Sequence, residues 1–284
     1  MIKSPLRYPG GKGRLYTTMA RVLARNTNRP VVYGEPYAGG AALALSLLDM
    51  GYAEKIFIND LDDGVYAFWL SVVEKTDDLV ELINSTEVTV AEWQKQRHIL
   101  VNTDCSLQKG FAFFFLNRTS RSGIVGSGGV IGGLEQNGAY KIDCRFNKQE
   151  LVDRIRLIAH KSDKIFVTNL DAALFIDRFD ELALENGFLY IDPPYFVKGS
   201  SLYRNHYKHS DHSAISQILK RISTPWVLTY DTADEVRALY NWAKASKFNL
   251  NYSVQRKRIA QEYMFFSQNI RVYLRDLGAG FIRI

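Results

Sequence analysis

Cysteine is almost absent from this sequence. Its 284 residues include two, Cys105 and Cys144. Their spacing fits neither a disulfide framework nor a zinc site, so they read as reduced thiols of a cytoplasmic protein. No apolar run approaches the ~20 residues that a membrane-crossing helix needs, and Met1-Ile2-Lys3-Ser4-Pro5 lacks the apolar core of a secretory leader. There is no internal repeat and no low-complexity tract, which excludes solenoids and repeat arrays. Charge of one sign is only slightly in excess. The net charge is +6 and the pI about 9.1, which suits an anionic partner such as nucleic acid without requiring one. What remains has the ordinary composition of a globular chain, long enough for one large domain or a domain with an insertion.

One stretch organises the rest: Gly187-Phe188-Leu189-Tyr190-Ile191-Asp192-Pro193-Pro194-Tyr195-Phe196. The apolar run predicts a strand buried on both faces, as in a parallel sheet. Two prolines stop that strand, so Asp192 and Tyr195 stand at its carboxyl end, where open α/β sheets bind ligands. The chemistry that fits is methylation of an exocyclic amine. The N6 lone pair of adenine is delocalised into the ring. A carboxylate and a proline carbonyl accepting both N–H hydrogens free it for in-line attack on a sulfonium methyl, and an aromatic ring beside them stacks on a base turned out of its helix. The plain alternative is a strand-ending turn with an incidental aspartate.

The motifs before it run in a consistent order. Tyr8-Pro9-Gly10-Gly11-Lys12-Gly13 is a glycine-rich loop before a helical pattern. It lacks the Walker spacing, and it reads either as an approach to an anionic ligand or as a simple N-terminal turn. Pro30–Gly34 predicts a strand that runs into Glu35-Pro36-Tyr37-Ala38-Gly39-Gly40 and a helix, the opening unit of a nucleotide-binding fold. The spacing is not Gly-x-Gly-x-x-Gly, which disfavours a dinucleotide. Glu35 at the strand end is placed to receive an ammonium. Lys55–Ile58 predicts a second strand ending at Asn59-Asp60, where Asp60 either binds ribose hydroxyls or caps the next helix. A third strand, Lys164–Thr168, ends in Asn169-Leu170-Asp171.

Residues 71–162 are helical and too long for a plain crossover, which predicts an inserted subdomain between catalytic segments 1–70 and 163–284. Phe111–Leu116 reads as its core. Arg118 and Arg121 follow, then a flexible glycine loop over Gly126–Gly133, then Lys141, Arg145 and Lys148 with Tyr140 and Phe146 interleaved. These basic groups either contact DNA phosphates and base edges or decorate a solvated loop. His206, His209 and His212 suggest a metal site less than a substrate-side loop, with Asp211 capping the next helix. Pro225–Thr229 predicts a further strand, and Leu250–Lys257 with Tyr263–Gln268 a closing antiparallel hairpin. The tail Gly278–Ile284 carries no readable role.

Taken together, the Pro-Gly-Gly-Lys loop, Glu35–Gly40, Asn59-Asp60, the insertion and Asp192-Pro193-Pro194-Tyr195 resemble the alpha class of DNA adenine-N6 methyltransferases, which includes the GATC-methylating enzymes. The resemblance covers most of the chain. It implies a class I, Rossmann-like α/β methyltransferase sheet with an inserted helical target-recognition subdomain. It also implies S-adenosylmethionine as methyl donor, no metal, double-stranded DNA as substrate, and a cytoplasmic place in a prokaryotic cell or a phage. A restriction endonuclease or other defence system is the partner it suggests. Tyr8, Lys12, Asp60 and Asp192 match cofactor-contacting positions, to which Glu35, Tyr37, Gly39 and Asn169 are added from their places at strand ends. Asp192, Pro193, Pro194 and Tyr195 match the catalytic motif; Arg118, Arg121, Lys141 and Arg145 are the expected DNA contacts. After Asn117-Arg118 the chain departs from the GATC enzymes, so the resemblance does not carry their target sequence. Asp192 also sets the chain apart from similar enzymes that methylate glutamine amides, which have Asn there, and its intact motif from a DNA-binding protein that has lost catalysis.

Overall fold

The computed structural model describes residues 1–7, 15–183, 185–196, 207–252, 258–278 and 280–284. In chain order the elements are α1 (Tyr16–Asn26), β1 (Val31–Glu35), α2 (Ala42–Asp49), β2 (Ala53–Asn59), α3 (Asp63–Glu74), α4 (Thr76–Ser85), α5 (Val90–Asn102), α6 (Ser106–Thr119), α7 (Lys148–Ala159) and β3 (Ile165–Thr168). Then come α8 (Ala172–Leu182), β4 (Gly187–Ile191), α9 (His209–Arg221), β5 (Trp226–Asp231), α10 (Asp234–Leu239), β6 (Lys244–Tyr252), β7 (Arg258–Phe266), α11 (Leu274–Leu277) and β8 (Phe281–Arg283).

The strands form an eight-stranded sheet in the order β3-β2-β1-β4-β5-β7-β6-β8. The first five are parallel to their neighbours, and β7, β6 and β8 add antiparallel pairs. The chain winds outward from β1 through β2 to β3, then returns to lay β4 against the other side of β1. That reversal opens a crevice between the carboxyl ends of β1 and β4, the place where doubly wound sheets bind ligands. The sheet is therefore Rossmann-like and mixed, as the class I methyltransferase resemblance implies. All five residues of β4 are buried. Alternate side chains feed two apolar layers: Phe188 and Tyr190 join one with α1, α2, α3, α6 and α7, while Leu189 and Ile191 join the other with α8, α9 and α10.

The inserted helices lie between α3 and β3, and position 71, the expected start of the insertion, falls inside α3. They share the core of the sheet. Phe68 of α3 stacks on Phe114 of α6 at 5.3 Å, and Phe146 meets Phe114 edge-on at 5.5 Å. Phe111, Phe113, Phe114 and Phe115 are all buried, as the aromatic run predicts. The two helices cross closely at glycines. A Cβ on Gly110 would sit 2.5 Å from the carbonyl oxygen of Ala67, and one on Gly64 2.6 Å from the Phe113 ring.

Two expectations are corrected, and the unread tail gains a place. The glycine loop expected to be flexible is fastened: Arg121 N–H donates to Gly129 O and Ile131 N–H to Thr119 O, both at 2.9 Å. The Gln136 amide then donates to the carbonyls of Ile131 and Gly133 and accepts from Ile142 N–H. The closing hairpin is longer than its apolar pattern suggests, spanning β6 and β7, and β7 inserts against β5; residues 258–262, expected to be the connection, belong to β7, and 253–257, the end of the expected first strand, lie outside the described residues. The unread tail forms the edge strand β8, where Phe281 stacks on Phe248 at 5.0 Å. Asp211 does take part in capping α9, but from inside the first turn: Lys208 is the N-cap residue, and Asp211 accepts from its N–H at 2.8 Å.

Candidate active site

Four strand ends build the crevice. At the end of β1 the chain passes through Pro36 and the left-handed Gly39 (φ 46°) and Ala41 (φ 45°) into α2. Gly39 fits that conformation without strain; Ala41 does not, and nothing in the sequence pattern announces it. Asp60, at the end of β2, ties this turn down. Its Oδ2 accepts from Gly39 N–H at 2.8 Å and its Oδ1 from Asp62 N–H at 2.9 Å. The helix cap is Asp62, whose Oδ1 accepts from Gly64 and Val65, so the capping alternative for Asp60 is replaced by a turn-holding role. The half-buried Asp60 carboxyl is pushed up to about 7 by burial, against the pull of those two bonds. Each of its oxygens retains lone-pair capacity for a hydroxyl.

Asn59, fully buried, cross-links three loops. It donates to the carbonyls of Pro36 and Leu170 and accepts from Leu170 N–H and the Thr168 hydroxyl. Asn169 donates its amide to the Asp60 carbonyl at 2.8 Å. Tyr37 shares a 2.8 Å hydroxyl contact with Tyr207 across the crevice. Tyr8 and Lys12 lie outside the described residues, as does His206. His212 is buried against Phe196, Tyr207 and Tyr230, and burial lowers it to about 4.

Glu35 occupies a different place from the one its position suggests. Its Oε1 accepts from the Tyr33 hydroxyl and from Ala44 N–H, each at 3.0 Å, so the carboxyl satisfies the first turn of α2. Burial pushes it up to about 8. Its folded value lies above the ordinary 4.5, so the folded state holds more protons than the unfolded one between these values. Stability from this group is present at low pH and falls as pH rises through about 8. Glu35→Gln is expected to remove up to about 1.4 kcal/mol per pH unit of that slope. Urea unfolding at pH 5, 6.5 and 8 measures it; equal slopes in the two proteins would return Glu35 to an ordinary carboxylate.

At the end of β4 the Asp192-Pro193-Pro194-Tyr195 turn is pinned by neighbours that the sequence reading missed. Thr229 of β5 donates its hydroxyl to Asp192 Oδ1 at 2.8 Å, and its single proton is then engaged, so the 2.7 Å contact with Tyr190 has the phenol as donor. Burial holds that phenol protonated well above its ordinary value. A directed chain, Tyr190 to Thr229 to Asp192, therefore sets the plane of the carboxylate. The Tyr195 hydroxyl donates to the buried Glu262 of β7, and Phe196 N–H to Asp231 Oδ1 at 3.1 Å. Asp231 and Glu262 face each other in the β5–β7 register. Glu262, a lone acid leading into Tyr-Met-Phe-Phe, was the available signal.

The arginines part company. Arg118 turns inward: Nε donates to Arg145 O at 2.7 Å and Nη1 reaches Pro5 O at 3.4 Å. Burial and the neighbouring Arg7 and Arg154 lower it to about 10. Arg121, Lys141 and Arg145 are exposed, and Lys141 donates to Gln136 O at 2.5 Å.

Comparison with known proteins identifies the family. The chain is 26% identical over 210 residues to the type II methyltransferase M.MjaIII of Methanocaldococcus jannaschii, an alignment covering 68% of this chain and 69% of that protein. It is 23% identical over 275 residues to the modification methylase StsI of Streptococcus sanguinis, covering 88% of this chain but 39% of that longer protein. Among solved structures, an rRNA methyltransferase, aviRa from Streptomyces viridochromogenes, superposes with a TM-score of 0.41 at 12% identity, covering 95% and 88% of the two chains. The model of one family matches residues 8–256, a span that takes in the β1 and β4 ends and every helix between β2 and β3. The chain accordingly belongs to the D12 class of N6 adenine-specific DNA methyltransferases, and its reaction is the methylation of adenine N6 in DNA.

Proposed function

We propose that this protein is a site-specific methyltransferase acting on an adenine turned out of double-stranded DNA, with S-adenosylmethionine as the methyl donor. The observation that carries this reading is the Asp192 carboxylate, oriented by Thr229 at the end of β4, across the switch-point crevice from the Gly39–Asp60 turn. The residues there fit the cofactor. Asp60 has carboxylate lone pairs for the ribose hydroxyls, Gly39 keeps the turn close and low, and Tyr37 borders the crevice. Tyr8 and Lys12 complete the set by resemblance. Glu35 and Asn169 support the set: Glu35 holds α2, and Asn169 holds the backbone of Asp60. The bound cofactor supplies an electrophilic methyl group.

The chain's own residues prepare the amine. Asp192 accepts one N6 hydrogen and a carbonyl of the Pro193-Pro194 turn the other, which localises the nitrogen lone pair toward the methyl. Tyr195 offers a ring face to the extruded base while Glu262 anchors its hydroxyl. The helices between α3 and β3 form the target-recognition region, with Arg121, Lys141 and Arg145 exposed toward DNA and Arg118 set back. By likeness to its modification-methylase relatives, the enzyme serves a restriction-modification system.

The test is transfer of a tritiated methyl group to duplex DNA, followed by sequencing for N6-methyladenine in DNA from cells expressing the protein. The expected result is N6-methyladenine confined to one short sequence of the duplex. Methylation spread without sequence preference, or confined to single strands or RNA, would overturn this reading.

A further inference from the structure

Where the segment before Tyr8 meets the inserted helices lies a cavity of about 330 Å³ whose lining includes Arg7, Arg118, Arg145, Arg154 and Glu150. Four guanidinium groups face one carboxylate, and that carboxylate is paired with Arg154. Arg7, Arg118 and Arg145 have no acidic partner among the described residues. Three of the four guanidinium groups, those of Arg7, Arg118 and Arg154, are held in place by backbone carbonyls. Arg7 Nη1 donates to Ser120 O at 3.1 Å, Arg154 Nη1 to Ser4 O at 3.0 Å, and Arg118 to the carbonyls of Arg145 and Pro5. Each guanidinium has five N–H donors, so most remain for a ligand.

Four like charges gathered around a single carboxylate cost free energy, and here it shows. Arg7 and Arg118 are both held below their ordinary values by burial first and by neighbouring arginines second, with Glu150 offsetting part of the effect on Arg118. An anion with several oxygens relieves that cost, and the planar forks of arginine match a tetrahedral phosphate. The cavity sits against the last turn of α6 and the start of α7, at the root of the region placed on DNA. Its backbone is clamped as well: Asn117 accepts from Arg7 N–H at 2.7 Å and donates to Arg7 O at 2.8 Å.

We propose that this cavity seats one backbone phosphate of the DNA substrate, gripping the duplex without reading its sequence. The inference rests on the DNA-methyltransferase reading and adds a phosphate site that includes Arg7 and Arg154. It gives Arg118 a backbone-holding role in place of a base-reading one.

The experiment uses the full chain with Cys105→Ser, which leaves Cys144, exposed on the cavity's rim, as the one thiol. A duplex of arbitrary sequence is expected to slow modification of Cys144 by a thiol reagent, and Arg145→Gln, which removes an exposed side chain, to abolish that protection. In anisotropy titrations at several salt concentrations, Arg7→Gln and Arg145→Gln are each expected to weaken binding to all duplexes alike. Each should lower the slope of log K against log salt by about 0.9, the loss of one phosphate contact. Inorganic phosphate is run as the other arm; protection by phosphate but not by DNA assigns the cavity to a free anion and overturns the proposal. So does unchanged affinity and slope in both variants while the parent protein binds DNA. If the parent binds and methylates no DNA, the functional reading fails first, and the two failures are distinguishable.

Discussion

Asp192→Ala is expected to lower the single-turnover rate of methyl transfer by about 100- to 1,000-fold, the scale seen when one preorganised hydrogen-bonding partner of a reacting group is removed. The fold should survive, because Asp192 is half-buried at a strand end and β4 packs through Phe188, Leu189, Tyr190 and Ile191. Thr229→Val gives the companion result. It keeps the volume and removes the hydroxyl that donates to Asp192 Oδ1. Thr229 is a positioning residue in this reading, so its loss should lower the rate by a smaller factor and leave the apparent affinity for DNA unchanged. Thr229→Ser, which keeps the hydroxyl, should restore most of the rate. Tritium transfer from saturating labelled cofactor to preassembled protein and DNA measures all three. Wild-type rates in Asp192→Ala would remove the carboxylate from the chemistry. A Thr229→Val defect that serine does not rescue would make Thr229 a packing residue.

The contrast between those two residues shows what was legible in the sequence. Asp192 follows an apolar run and precedes two prolines, so local pattern alone predicts a carboxylate at the end of a buried strand. Thr229 lies in an equally plain strand, but its partner is 37 positions away. It reaches Asp192 because Ile191 pairs with Leu228 in the β4–β5 register, which puts the next residues side by side. Register between parallel strands is set by packing over the whole sheet and leaves no local trace. The same holds for Glu262, brought to Tyr195 by a β7 strand that inserts beside β5 ahead of β6.

Arg118 and Arg121 are three residues apart in similar surroundings, yet one turns into a cavity and the other stays exposed. The deciding groups are the carbonyls of Pro5 and Arg145, both distant in sequence. Glycines were readable only in part. Those at 39 and 40 announce a turn, whereas Gly110, inside a helix, matters because another helix crosses its bare Cα. The run at 126–133 reads as flexible by composition and is fastened by bonds from Arg121, Ile131 and Gln136.

Asp60→Ala is expected to weaken S-adenosylmethionine binding by about 1.5–3 kcal/mol, or roughly 10- to 150-fold in Kd, the range for a hydrogen bond to a charged acceptor. Saturated turnover should fall far less. Asp60 also ties Gly39 to the end of β2, so the alanine variant alone does not separate contact from support. The pH dependence does. The Asp60 carboxyl, raised to about 7 by burial, is mostly protonated at pH 6 and mostly ionised at pH 8. A carboxylate accepts hydroxyl hydrogen bonds better than a neutral carboxyl group. Cofactor affinity should therefore rise from pH 6 to pH 8 in the parent protein. Asp60→Asn keeps an acceptor oxygen for one of the two backbone N–H bonds but cannot ionise, so its affinity should be lower at pH 8 and lose that rise. Calorimetric titrations of both proteins at three pH values, with thermal unfolding run in parallel, decide the matter. Equal Kd values at pH 8 would confine Asp60 to holding the glycine turn.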